Sequence, residues 1–245
     1  MNLNLIDYKE MLNNKLLEFF KNKEVLEVGF FSGNYTKILA KHVKKLTSID
    51  ISSFAYNLAL KNLKNENFNN VDLKIMDAAK MDFKNESFDT VFTSSFHEIN
   101  LTKQKKVLHE INRVLKKSGF IMFFEPKEES VTNELFKVFD PNENHAKRIS
   151  TSKENIKHFA DESGYVIKEF EDSISKAKFN TEDELLDEML SWWQDIKIPK
   201  DEKEKSEMKA KIKSILLNNS KRDFENLEVN ETSWTWVLNK KKGQI

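Results

Sequence analysis

The stretch Glu27-Val28-Gly29-Phe30-Phe31-Ser32-Gly33 joins an apolar run to a helical pattern that opens at Asn34. An acid followed by two glycines four positions apart predicts a strand, a tight turn and a helix N-terminus. Glycine has no Cβ, so such a turn lets backbone N–H groups approach a ligand closely. Acids recur where other apolar runs end: Asp50 after Leu46–Ile49, Asp77 after Val71–Met76, and Glu125 after Phe120–Phe124. Between the last two, a run through Thr93 leads into Ser94-Ser95-Phe96-His97.

In an open α/β sheet, ligands bind outside the carboxyl ends of the strands. Asp50 follows Gly29 by about 20 positions, the separation at which an acid reaches a ribose held over the glycine turn. A carboxylate suits a ribose diol because it accepts from both hydroxyls. Acids at successive strand ends therefore predict a nucleoside site rather than a set of helix caps. A dinucleotide pattern, G-x-G-x-x-G, needs glycines where Phe31 and Asn34 stand, and the Lys-Ser/Thr pair of a phosphate loop is missing. The turn suits a ligand with a cationic amine near Glu27 and no phosphate.

The elements that position these groups follow from apolar spacing. Residues 5–20 read as an amphipathic helix ahead of a first strand, Glu24–Val28. Helices are expected from Asn34, over 53–64 and over 102–116, the last stopped by Lys117-Ser118-Gly119. Strands alternate with them, ending in the apolar Phe120–Pro126. Residues 127–150 look irregular. Thr151-Ser152-Lys153-Glu154 reads as a capping box opening a helix through Glu162, and Thr181-Glu182-Asp183-Glu184 as a second. Tyr165–Phe170 reads as a strand, 202–217 as a charged helix, and Thr232–Leu238 as a final strand. Short apolar strands alternating with helices predict a parallel sheet covered on both faces. The expected organisation is one domain over 1–245: a cap helix (1–20), a ligand-binding core (21–172), a helical insertion (173–230) and a last strand (231–240).

Composition narrows the function. The chain has 245 residues, with 40 basic and 40 acidic side chains, so it lacks the global positive field that wraps nucleic acid. It has no cysteine, which removes disulfides, thiolate metal sites and cysteine nucleophiles. No metal site is expected. No stretch approaches the length of a membrane span, and the N-terminus has no signal pattern, so a cytoplasmic protein is expected.

These motifs, in this order, resemble those of class I S-adenosylmethionine-dependent methyltransferases of the small-molecule type. Glu27 through Gly33 is similar to the family's acid and G-x-G-x-G motif, departing at the middle glycine, where Phe31 stands. Asp50 resembles the acid that holds the ribose hydroxyls, and Asp77-Ala78 the pair that contacts adenine. Phe88-Asp89-Thr90-Val91 through Phe96-His97-Glu98-Ile99 resembles the fourth-strand motif. Leu108 through Gly119, containing Arg113-Val114-Leu115-Lys116, resembles the helix and turn before strand five, and Phe123-Phe124-Glu125-Pro126 completes the match, which covers about residues 20–172. The resemblance implies a Rossmann-like, doubly wound, seven-stranded α/β sheet, mostly parallel with an antiparallel last strand. It implies S-adenosylmethionine as cofactor, held by Glu27, Gly29, Phe31, Gly33, Asp50, Ile51, Asp77, Ala78 and Ser94. It also implies a small-molecule methyl acceptor.

Methyl transfer from a sulfonium is an in-line displacement that positioning and desolvation largely drive. His97 is the candidate base, against the alternative that it only shapes the pocket. Glu98 is expected to face the helix surface. His145, Arg148 and Tyr8, with His97, are the candidate acceptor-binding residues; Tyr8 and Met11 are placed to cover the cofactor. Trp192-Trp193 reads as core. The absence of Asn/Asp-Pro-Pro-Tyr/Phe argues against adenine amino methylation, and the lack of a double-glutamate loop against arginine methylation. Two rivals stand beside this reading. One is a non-catalytic or altered-cofactor binding protein, motivated by Phe31. The other is an RNA or protein methyltransferase docking through the lysines of 197–222 and Lys240-Lys241-Lys242. Those lysines alternate with acids, as on a solvated helix face. Nucleic acid and membrane are not expected as partners, and the expected state is a monomer or homodimer.

Overall fold

Val25, Leu26, Glu27 and Val28 are all buried, which a strand achieves only when both faces of its sheet are covered. The computed structural model describes residues 12, 14–139, 145–179, 183, 184, 186, 199–219 and 227–240. In chain order the elements are α1 (Asn14–Leu17), β1 (Glu24–Val28), α2 (Asn34–Leu39), β2 (Lys45–Asp50), α3 (Ser53–Leu63), β3 (Val71–Ile75) and β4 (Phe88–Thr93). A 3-10 turn, Phe96–Glu98, then leads to α4 (Leu101–Val114), β5 (Leu115–Pro126), α5 (Val131–Phe139), α6 (His145–Glu162), β6 (Tyr165–Phe179), α7 (Glu202–Asn219) and β7 (Leu227–Lys240).

The strands form one seven-stranded sheet in the order β3-β2-β1-β4-β5-β7-β6. β1 pairs in parallel with β2 on one side and β4 on the other, and β2–β3 and β4–β5 are also parallel. The last strands run antiparallel, giving the mixed Rossmann-like sheet. Strand order reverses between β1 and β4, so the crevice at their carboxyl ends is the switch point where such sheets take ligands.

Packing divides the chain into two compact units: Leu12–Glu125 with Ser150–Asp172 and Trp234–Ile245, and Met1–Met11 with Pro126–Ile149 and Ser173–Ser233. In the larger unit, Leu26, Val91, Ile121 and Phe123 of the sheet share a core with Val107, Leu108 and Ile111 of α4 and Ile156 and Phe159 of α6. The opposite face is aromatic: Phe92 meets Phe20 at 5.7 Å and Tyr35 at 5.5 Å, and Tyr35 reaches Phe124 at 5.8 Å. In the smaller unit, α5 packs on α7, with Val131, Leu135 and Phe139 of the one and Met208, Ile212 and Leu216 of the other buried.

Three expectations are corrected. The capping box at Thr151 is not a cap, because α6 begins at His145 and runs straight through it. Ser152 is buried, and its hydroxyl accepts from Gln104 Nε2 at 2.7 Å instead of capping a backbone N–H. The irregular reading of 127–150 fails at α5, whose apolar positions Val131, Leu135 and Phe139 repeat at helical spacing. The stop at Lys117-Ser118-Gly119 fails as well: the helix ends at Val114 and β5 begins at once. Phe88 pairs with Leu115 but Thr90 with Phe120, so the extra residues bulge between two pairs. Gly119 suits that bulge, since a Cβ there would sit 2.8 Å from the Asp89 carbonyl oxygen.

Residues 76–87, between β3 and β4, form no helix. Arg113 ties this connection down, donating to the carbonyls of Phe83 at 2.6 Å and Met81 at 2.9 Å, while Glu110 accepts the Met81 N–H at 2.8 Å. Beside it lies a cleft of about 410 Å³ lined by Glu24, Lys45, Thr47, Asp72, Lys74 and Phe83 among others. None of the glycine-turn residues lines this cleft.

Candidate functional site

Gly29 and Gly33 have φ of 80° and 81°, the left-handed conformation that costs other residues roughly 1–2 kcal/mol. Phe31 adopts it as well, at 41°. The turn is held at three points. Gly29 N–H donates to the Ile49 carbonyl at 2.8 Å, Gly33 N–H to the Phe30 carbonyl at 2.8 Å, and Phe31 N–H to Asp50 Oδ2 at 3.0 Å. A Cβ on Gly29 would lie 2.2 Å from Ser95 Oγ, so the end of β4 sits directly against the turn. The Phe31 ring packs beside the Phe30, Ala55 and Ala59 cluster, 6.5 Å from Phe54, on the side of α3.

Glu27 is buried to 1% exposure beneath this turn. Thr36 donates to its Oε2 at 2.7 Å and Ser48 to the same oxygen at 2.6 Å. No hydrogen bond reaches Oε1 among the described residues. Burial raises the Glu27 pKa to about 7; the two hydroxyl bonds oppose the rise and the Asp50 charge adds to it.

Asp50 ends β2 and accepts Ser52 N–H at 2.9 Å on Oδ1 in addition to Phe31 N–H on Oδ2. A carboxylate has about four acceptor positions, so two remain for a ligand diol. Asp77, just past β3, accepts Ala79 N–H at 2.8 Å and lies 3.6 Å from Lys103 Nζ. Ile51 and Ile75, at the ends of β2 and β3, are 64% and 53% exposed, an apolar surface on either side of the Asp50 end. Ala78 and Ser94 are half-buried at the ends of β3 and β4.

His97 lies in the 3-10 turn after β4, where its Nδ1 meets Glu125 Oε2 and its Nε2 lies 3.0 Å from Glu98 Oε1. Glu125 also accepts the backbone N–H groups of Phe96 at 2.7 Å and His97 at 3.3 Å. Burial alone lowers the His97 pKa, but the Glu125 charge outweighs it, and with the Glu98 bond carries the imidazole to about 10. Glu98 therefore turns toward His97, against the expectation that it faces the helix surface.

The structure thus brings Glu27, Gly29, Phe31, Gly33, Asp50, Ile51, Asp77, Ala78, Ser94 and His97 to the carboxyl ends of β1 through β4. His145 and Arg148 belong to the smaller unit, at the start of α6. There His145 is buried, its Nδ1 against Asn133 Oδ1 and its ring 4.4 Å from Phe136. Tyr8, Met11, Trp192 and Trp193 lie outside the described residues, as do Thr181 and Lys241-Lys242.

Residues 25–119 match the methyltransferase domain family. The chain carries a class I methyltransferase domain. The ubiquinone/menaquinone biosynthesis C-methyltransferase of Hydrogenovibrio crunogenus is 36% identical over 105 residues, which is 41% of this chain and 41% of that protein. The match thus spans well under half of that relative. Among solved structures, the YcgJ protein of Bacillus subtilis superposes with a TM-score of 0.62 at 12% identity, over 96% of this chain and 99% of its own. A SAM-dependent methyltransferase from Aquifex aeolicus gives 0.52 at 21% identity, over 67% and 82%. At these identities the superpositions speak for the fold.

Within the methyltransferase domain, sequence reasoning missed the groups that orient the acids. Thr36 and Ser48 aim Glu27, Ser95 buttresses Gly29, and Gln104 holds the turn that carries His97. Ser48 was the most findable of these. It stands on the buried strand next to β1, and a polar residue in a buried strand needs a partner.

Proposed function

We propose that this methyltransferase domain binds S-adenosylmethionine and moves its methyl group to a small-molecule acceptor by in-line displacement. The carbon–sulfur bond breaks as the acceptor–carbon bond forms, and the sulfur keeps the electron pair as a thioether. The observation that carries this reading is the Glu27 carboxylate, whose Oε2 takes both hydroxyls while no hydrogen bond of the described residues reaches Oε1. An ammonium is the ligand group such an oxygen holds. Asp50 takes the ribose hydroxyls, Ile51, Asp77 and Ala78 the adenine, and Gly29, Phe31, Gly33 and Ser94 line the methionine end.

His97 shapes the site rather than acting as base, because an imidazolium has no lone pair to receive a proton. Calorimetric titration tests the reading. S-adenosylmethionine and S-adenosylhomocysteine are expected to bind with micromolar affinity, and no heat at millimolar ligand sinks it. A second reading, a domain that binds without turnover, is favoured by Phe31 in the family's glycine position. Tight cofactor binding with no methyl transferred to any component of a small-molecule extract decides for that alternative.

A further inference from the structure

We propose that Glu98 recognises the methyl acceptor, that Glu125 and His97 hold Glu98 in place, and that the acceptor atom is an amine nitrogen. This rests on the S-adenosylmethionine reading above.

The argument starts from the protonation of His97. Glu125 faces three donors, the N–H groups of Phe96 and His97 and the His97 Nδ1, so it is a carboxylate. Nε2 faces a second carboxylate, Glu98, at 3.0 Å. A neutral imidazole has one N–H and one lone pair, so one of its nitrogens would set a lone pair against a carboxylate oxygen. Only the imidazolium donates to both. The strongly raised pKa of His97 agrees with this geometry.

Two consequences follow. The three side chains carry two negative charges and one positive, an excess of one negative charge. The side chains of Glu125 and His97 are 1% and 7% accessible, and that of Glu98 is 30%, so the excess is presented through Glu98. The turn that carries it is fixed from behind by Gln104, whose Nε2 lies 3.1 Å from the Phe96 carbonyl, 3.2 Å from that of Ile99 and 2.7 Å from Ser152 Oγ. It follows Ser95, which abuts Gly29. Glu98 is thus a fixed carboxylate on the turn beside the cofactor loop.

Such a carboxylate, with no free base beside it, matches the charge changes of N-methylation. A neutral amine attacks the methyl carbon, the C–N bond forms as the C–S bond breaks, and sulfur keeps the pair. The nitrogen becomes an ammonium, and no proton leaves during the transfer. Positive charge grows on nitrogen toward the transition state, so a carboxylate beside it acts more strongly there than in the ground state. A hydroxyl acceptor must instead lose a proton, which the imidazolium cannot receive.

The test uses the full chain saturated with S-adenosylhomocysteine, with methylammonium as probe and acetate as the control of opposite charge. Ring nitrogen shifts of His97 are expected to report an imidazolium at pH 8. Millimolar methylammonium is expected to move them, and acetate to leave them unmoved. Glu98→Gln is expected to weaken methylammonium binding at least tenfold with S-adenosylhomocysteine affinity within twofold. Glu98→Asp, which keeps the charge, is expected to recover part of it, and His97→Gln to lose it without loss of S-adenosylhomocysteine. A neutral His97 at pH 8, or methylammonium bound equally well by wild type and Glu98→Gln, overturns the inference while leaving cofactor binding intact. A folded protein that does not bind S-adenosylhomocysteine overturns both readings.

Discussion

The backbone N–H of Phe31 donates to Asp50 Oδ2 at 3.0 Å, so the residue that breaks the glycine motif is anchored by the acid proposed to hold ribose. Its ring packs on the α3 side while its amide keeps the tight turn. Phe31→Gly keeps the bond and relieves the left-handed backbone, at the loss of the ring contacts. S-adenosylhomocysteine affinity is expected to change by less than about threefold, below ~1 kcal/mol. A tenfold gain in a titration would show that the ring occupies ligand space.

Glu27 gives a pH signature with a definite sign. Its pKa is about 7 in the fold against 4.5 for the free group, so its contribution to stability is fully present below 4.5 and lost as pH rises through 7. The shift corresponds to about 3 kcal/mol. Glu27→Gln, which still accepts from Thr36 and Ser48, is expected to abolish this slope and to be the more stable protein at pH 8. It is also expected to bind S-adenosylmethionine at least a hundredfold less tightly. Denaturant melts across pH 4.5–8, paired with titrations, check both halves; a destabilised Gln variant at pH 8 refutes the first.

Cofactor binding should take up that linkage. A cationic amine favours the Glu27 carboxylate, so binding at pH 6 releases a proton and affinity falls as pH drops below 7. Calorimetry in buffers of different ionisation enthalpy reads the proton directly. Equal heats across buffers at pH 6 contradict the assignment of Glu27 to the amine.

His97 has a separate window. Its folded pKa is raised from 6.5 to about 10, so the stability it brings is complete below 6.5 and is lost as pH climbs through 10. His97→Gln is expected to flatten stability between pH 6.5 and 10 relative to wild type. Parallel slopes for the two proteins would mean the imidazole is neutral in the fold.

Arg113 belongs to the scaffold. Its guanidinium bonds two carbonyls and Glu110, replacing the helix that the β3–β4 connection lacks. Arg113→Ala is expected to cost about 2 kcal/mol of stability and to leave S-adenosylhomocysteine affinity unchanged. A matching loss of affinity in the folded variant would place the connection in the binding site.

The sheet was legible because its strands are buried on both faces and read as unbroken apolar runs, each closed by a residue that stands out from the run. The helix at Val131–Phe139 was not, because its apolar residues are separated by Asn133, Glu134 and Lys137 and no cap precedes it in the sequence. Thr151 misled for the opposite reason. A capping pattern is local, whereas the Ser152 hydroxyl is claimed by Gln104, 48 positions away. The strand-end acids could be named from order alone. What each acid does depends on which hydroxyl or imidazole faces it, and those partners arrive from other strands. His97 illustrates this: its type suggests a base, and the carboxylates on both of its nitrogens remove that option.

The two ends of the sheet differ in how their charges are settled. At the amino ends, Glu24 is paired with Lys44 and Lys116, and Asp89 with Lys116. At the carboxyl ends, Glu27, Asp50, Asp77, Glu98 and Glu125 gather, and the ion pairs found there among the described residues come from His97 and Lys103. A chain of zero formal charge therefore has an electrostatic direction along its strands. A cation is drawn toward the crevice before it touches anything, so added salt slows its arrival more than its departure.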